Sequence, residues 1–189
     1  MKILSQFWSY LGEQQAPKVR MIHMCVLLLV IIQILISNFM HVPKEANISM
    51  HGTNAFFSWA HFSFGLLLLV LTIALATISF YSRGIKYFFP YLWGNMTQLR
   101  QDIYLLRQRQ LPAASAGGLA ACVQGLGLGA MGLVLLSGTI WFVLWLNDNS
   151  LAPNAMSLHK TLTGLVEAYL LGHGAMGLLH FWLQQRIKT

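Results

Sequence analysis

The chain has 189 residues, of which 56% are hydrophobic and only 9% charged. A soluble domain carries roughly a quarter charged residues, so this composition excludes an ordinary water-soluble globule and points into a bilayer. The net charge of +7 is no mark of nucleic-acid binding, because the basic residues flank apolar segments and no soluble domain presents them as a groove.

A transmembrane helix needs about 20 largely apolar residues, and four segments meet that length, at about 21–40, 56–80, 119–146 and 158–183. Residues 1–19 read as a short tail in which Trp8 and Tyr10 sit at the membrane interface, and Pro17 suits the first turn of a helix. The first span is no secretory signal, since Glu13 lies in the long stretch before it and no small-residue cleavage pattern follows. The connection before the second span is polar, with Pro43, Asn47, Gly52 and Asn54 as turn formers. The longest connection, 82–116, opens with an aromatic cluster of Tyr87, Phe88, Phe89, Tyr91 and Trp93. Met96, Leu99, Ile103 and Leu106 then recur at helical spacing among Arg and Gln, the pattern of a helix lying on lipid headgroups, and Pro112 ends it. Asp148, Pro153 and Asn154 mark the short connection before the fourth span.

Ten Lys and Arg residues lie on the side of the two termini and the long connection, against only Lys44 and Lys160 on the other. The positive-inside rule therefore places both termini and that connection in the cytoplasm. The expected fold is all-α and integral to the membrane: one domain, 1–189, a four-transmembrane-helix bundle with a cytoplasmic amphipathic connection between helices 2 and 3.

Two features of the spans carry no chemistry. Gly127-x-Gly129-x-x-Gly132 matches the dinucleotide-binding pattern, which requires a strand before it and a helix start for the phosphate. Inside a membrane span, such glycines let helices or a flat macrocycle come close. Cys25 and Cys122 lie in apolar segments without the spacing for covalent haem or an iron–sulfur cluster, and read as small buried packers.

The histidines are different, because ionisable groups within membrane spans are functional candidates by default. His51 is in a loop; His23, His41, His61, His159, His173 and His180 lie within or at the ends of apolar segments. His159 and His173 are 14 residues apart, close to four helical turns, or about 21 Å along the axis. Both imidazoles then point to nearly the same side at two depths. The alternating direction of the spans puts His23 level with His173 near the inner face, and His61 level with His159 near the outer face. Imidazole is a good ligand for haem iron, so the pairs His23/His173 and His61/His159 read as axial ligands of two b-type haems stacked across the bilayer. His180 could compete for the inner site and His41 for the outer one. Glu167, between the two ligands on the fourth span, reads as a buried carboxylate, either a structural partner to another helix or a proton-handling group.

These residues resemble a known family. Arg20-x-x-His23, His61-x-x-x-Gly65, the His159 to His173 spacing and Leu135-Leu136-Ser137-Gly138 are similar to the bacterial cytochrome b561 family. The likeness extends to the dihaem cytochrome b subunits of respiratory formate dehydrogenases and nickel–iron hydrogenases. It covers all four spans. It implies a multi-pass protein of the bacterial inner membrane that passes electrons between a periplasmic redox partner and quinone, either ubiquinone or menaquinone. It also implies a quinone site at the start of the third span, where the family has Asn-Ala-Gly and this chain has Ser115-Ala116-Gly117. Ser115 and Gly117 are the candidate contacts. Met24 stands where the family often has Trp, and the C-terminal tail is short. Connections of this length cannot build a substrate site of their own, so the expected role is the membrane subunit of an oxidoreductase with a periplasmic dehydrogenase, reductase or cytochrome as partner. A free-standing quinol oxidase is the alternative, and a transporter or structural protein without cofactor is a distant one.

Overall fold

In the computed structural model, which describes residues 2–40 and 52–188, every regular element is helical. The α-helices are α1 (Lys2–Gln14), α2 (Pro17–Ser37), α3 (Gly52–Arg83), α4 (Ile85–Phe88), α5 (Thr97–Arg107), α6 (Leu119–Leu146) and α7 (Ala152–Lys188). A 3-10 turn, Pro90–Trp93, follows α4. Four of these helices, α2, α3, α6 and α7, are long and apolar enough to cross a membrane. His41 and Lys44 lie outside the described residues, so the alternative outer ligand has no structural account.

The long helices extend beyond the expected apolar spans for local reasons. Pro17 opens α2, as its fit to a first helical turn leads one to expect, since its missing N–H is unpaired there anyway. The helix that carries the fourth apolar segment, α7, starts at Ala152, with Pro153 in its first turn, where proline is tolerated. α3 continues to Arg83 and stops at Gly84, whose φ of 80° suits a residue without Cβ.

The spans pack in chain order, α2 on α3, α3 on α6 and α6 on α7. A central layer joins Val26 and Val30, Leu68 and Leu75, Met131 and Leu135, and Val166, one set from each helix. A second layer joins Phe62, Trp141, Ala152 and Met156. α7 makes its extensive contact with α6, leaving a gap between α7 and the α2–α3 pair. Leu158, Leu165, Leu171 and Leu178 on α7 are exposed, as a lipid-facing surface requires.

The N-terminal tail is a helix, α1, whose Phe7 and Tyr10 rings meet Phe181 of α7 at 5.3 and 5.6 Å. Ile3, Leu4 and Trp8 of the same helix stay exposed. In the aromatic cluster after α3, Phe88 is only 2% exposed and packs with Phe89 into the notch left by Gly125 of α6, while Trp93 stays exposed. One expectation is corrected, the burial of both cysteines: Cys122 is buried but Cys25 is exposed.

α5 keeps Ile103 and Leu106 exposed, as an amphipathic surface helix would. What anchors it is a residue the apolar pattern does not reveal. Asp102, 1% exposed, accepts hydrogen bonds from the backbone N–H of Leu119 at 2.7 Å and from Gln98 Nε2 at 2.8 Å. A carboxylate borrowed from α5 thus caps the start of α6, where backbone donors are unpaired and the helix dipole favours negative charge.

Candidate functional site: two facing imidazole pairs

Four histidines project into the gap beside α7. His173 faces His23 with ring centroids 6.2 Å apart and planes 83° to one another. One level away, His159 faces His61 at 6.4 Å and 81°. Both α7 members reach this gap from one helix because 14 residues complete nearly whole turns. His180 lies seven residues further along; the ring that meets His23 is that of His173.

The outer pair is the more tightly built. His159 Nδ1 lies 3.0 Å from the carbonyl oxygen of Val134 and 3.2 Å from Ser137 Oγ. A carbonyl can only accept, so Nδ1 carries the proton and Nε2 keeps its lone pair. Gly138 permits this approach: a Cβ there would stand 2.8 Å from His159 Cε1 and 3.0 Å from Nδ1. The Ser137-Gly138 dipeptide therefore has a physical role, one residue orienting the ring and the other making room for it.

Across the gap, Gln33 of α2 donates from Nε2 to the backbone carbonyl of His61 at 2.8 Å, passing beside Gly65. Gln33 Oε1 and His61 Nδ1 are both buried without a hydrogen-bond partner. Around the pair is a cavity of 320 Å³, lined in part by Met131, Val134, Gly138, Phe142 and Val166. Glu167 also lines it and is an exposed residue, which corrects the expectation of a buried carboxylate. The gap beside α7 is open at that level, so the side chain is not enclosed between helices.

At the inner pair, His173 stacks on Tyr169, 5.0 Å away and 10° from parallel. The Tyr169 ring in turn fills the notch at Gly127, where any Cβ would collide with it. His23 Nδ1 lies 3.5 Å from Gln15 Nε2, in the corner between α1 and α2. Gln15, Gln33, Ser137 and Tyr169 form the polar and aromatic surroundings of the four rings, and only Ser137 stands in a pattern that sequence alone singles out.

Two facing imidazoles can share one metal. A ligating nitrogen sits about 2 Å from its metal and about 1 Å from the centre of its own ring, so opposed rings have centroids about 6 Å apart. Both pairs meet that spacing. Among the described residues no group of three or more His, Cys, Asp or Glu could hold a bare ion. A two-histidine site suits a metal whose other ligands come from a macrocycle, and the apolar cavity around the outer pair suits the macrocycle.

The family model for prokaryotic cytochrome b561 matches residues 14–189. The chain belongs to that family. No curated protein and no solved structure matches it. Membership in the cytochrome b561 family makes it a multi-pass membrane b-type cytochrome, a haem protein of electron transfer. The match begins at residue 14, so α1 lies almost wholly outside it.

Ser115 and Gly117 sit in the turn that enters α6. Gly117 adopts φ 69° and its N–H donates to the carbonyl of Tyr87 at 3.0 Å. Its backbone is therefore committed to holding the turn against the α4 segment. Ser115 Oγ is buried with no hydrogen-bond partner. It lies beside Gly118, where a Cβ would also meet the Asp102 carboxylate.

Proposed function

We propose that the protein is a dihaem b-type cytochrome of the bacterial inner membrane. In this reading His61 and His159 hold an outer haem and His23 and His173 an inner one, and electrons cross between a periplasmic partner and the quinone pool. The observation that carries it is the pair of facing imidazole couples, 6.2 and 6.4 Å between centroids, joined by a single helix. The bound iron supplies one-electron redox chemistry. The chain's own contribution is to fix the ligands and their hydrogen-bond partners. Val134 and Ser137 set the His159 tautomer, Gly138 gives its ring room, and the stacked Tyr169 fixes the plane of His173.

The quinone site of this reading lies at the start of α6. Ser115 is the polar contact there, since its hydroxyl has no partner and can donate or accept. Gly117 shapes the turn and supplies no free N–H. Reduction of the quinone takes two electrons and two protons, the protons entering from the cytoplasmic side. The periplasmic partner is a dehydrogenase or reductase subunit or a cytochrome, because the five-residue 147–151 connection between α6 and α7 is too short to build a substrate site.

The test is a reduced-minus-oxidised spectrum with haem quantitation on the purified protein. Two b-type haems per chain are expected; one or none overturns the reading. His173→Ala should remove one haem together with quinone reactivity, while the haem that remains is still reduced by a periplasmic donor.

A further inference from the structure

α1 is not a passive appendage. It is tied to three of the four spans, and its attachments surround a single residue, Gln15. Phe7 and Tyr10 pack on Phe181 of α7, and Gln184 of α7 donates to Glu13 Oε2 at 2.7 Å. Arg20 of α2 donates from Nη1 to the backbone carbonyl of Trp8 at 2.9 Å, with its guanidinium 4.2 Å above the Trp8 ring. Gly12 leaves room for that guanidinium, since a Cβ there would collide with Arg20 Nη1. Arg83, at the end of α3, donates to the carbonyl of Gln14 at 3.3 Å. The chain then turns through Gln15 and Ala16 into α2, with the Gln15 N–H still bonded to the Leu11 carbonyl at 3.0 Å.

The Gln15 side chain points from this corner to His23. Its amide nitrogen stands 3.5 Å from His23 Nδ1, while its Oε1 is buried with no partner. The two ends of a glutamine amide are assigned from the hydrogen bonds they can make. With Nε2 of His23 committed to a metal, Nδ1 carries the proton and requires an acceptor. An amide nitrogen cannot accept, whereas the idle Oε1 can.

We propose that Gln15 is a positioning residue for the inner haem: α1, clasped across α2, α3 and α7, delivers its amide oxygen to His23 Nδ1–H and thereby lowers that haem's midpoint potential. This inference rests on the ligand reading of His23 given above. An acceptor on the far ring nitrogen makes the imidazole a more basic ligand and favours the ferric state. Outer-partner changes of this kind are felt at about the tenfold level, which for one electron corresponds to about 59 mV.

The experiment is a spectroscopic redox titration of the purified protein, with electron paramagnetic resonance of its ferric haems as a second signature. His23→Ala first identifies the inner haem as the one lost; retention of both haems would refute the ligand reading itself. Gln15→Leu should raise the ferrous-to-ferric ratio of that haem about tenfold at fixed potential and change its resonance, leaving the other haem unmoved. Gln15→Glu, a stronger acceptor, should shift it the opposite way. If Gln15→Leu instead releases the inner haem alone, a lowered midpoint in Gln15→Glu still upholds the proposal. Loss of haem in both variants, or no shift in either while His23→Ala still removes one haem, overturns it. Phe7→Ala with Tyr10→Ala and Gln184→Ala, which removes the ring contacts and the hydrogen bond between α1 and α7, should reproduce the sign of Gln15→Leu, and an unchanged midpoint in that triple variant refutes the clasp.

Discussion

A single methyl group added at Gly138 tests how the outer imidazole is held. In Gly138→Ala the new Cβ would stand 2.8 Å from His159 Cε1 and 3.0 Å from Nδ1, whereas ordinary contact begins at 3.4 Å. The ring must therefore retreat by about 0.6 Å, because carbon atoms pack best at about 3.5–4.0 Å. Its retreat strains the contacts to the Val134 carbonyl and Ser137 Oγ, now 3.0 and 3.2 Å. Overpacking of this kind costs about 1–3 kcal/mol, and a weakened hydrogen bond about 1 kcal/mol. A total of about 3 kcal/mol corresponds to roughly 100-fold weaker retention of the proposed outer haem, at about 1.4 kcal/mol per tenfold. The assay is haem quantitation on protein challenged with an apo-haem acceptor, comparing the variant with the parent. Gly129→Ala and Gly132→Ala serve as controls on the same helix, since neither Cβ would meet an atom within 4 Å. Wild-type retention of both haems in Gly138→Ala, or equal losses in all three variants, would refute the placement of His159 against α6.

Gly127→Ala should weaken the inner haem in the same assay, because its Cβ would displace the Tyr169 ring on which His173 stacks; intact retention there would show the stack to be dispensable. Asp102→Ala should lower stability in detergent by about 1–3 kcal/mol, since the Leu119 N–H and Gln98 lose a buried acceptor. Asp102→Asn, which keeps one acceptor oxygen, should lose less, and identical melting of all three proteins would count against the cap. Fusions to a reporter active only outside the cytoplasm should be silent after Thr189 and active after Asn149; the reverse pattern would invert the orientation inferred from ten basic residues against two.

The four spans are legible in the sequence because lipid cannot satisfy a backbone polar group, so each crossing must be a long apolar helix. The register of α7 is legible for a similar reason: helical geometry alone turns 14 residues into two imidazoles on one side. What escapes a linear reading is contact made over long separation. α1 looks like a tail because its partners Arg83, Phe181 and Gln184 lie tens of residues or more along the chain. Asp102 is hidden inside an amphipathic pattern judged by its apolar positions, when it is the polar residue that docks α5 to α6. Glu167 misleads in the opposite direction. A carboxylate in mid-span is expected to be enclosed, but α7 touches the bundle chiefly through α6 and leaves that level open. The glycines of α6 divide in a way no pattern announces: Gly125, Gly127 and Gly138 each receive an aromatic or imidazole ring, while Gly129 and Gly132 receive nothing.

The two imidazole pairs have equal spacing but unequal support. The outer pair is held from within the bundle, by an α6 carbonyl and hydroxyl on His159 and by Gln33 of α2 on the backbone of His61. The inner pair is held by Tyr169, wedged against α6, on one side and by the α1 corner on the other. Contacts inside a bilayer are insulated from water and salt, whereas those of α1, on the expected placement of the N-terminal stretch outside the spans, compete with both. On the proposed ligation, the outer haem is thus placed by contacts made within the four long helices. The inner one is exposed to whatever loosens α1, and it is the haem nearer the proposed quinone site. A structural disturbance at that surface would be felt first in the ligand field of His23, before any change in the fold of the four spans.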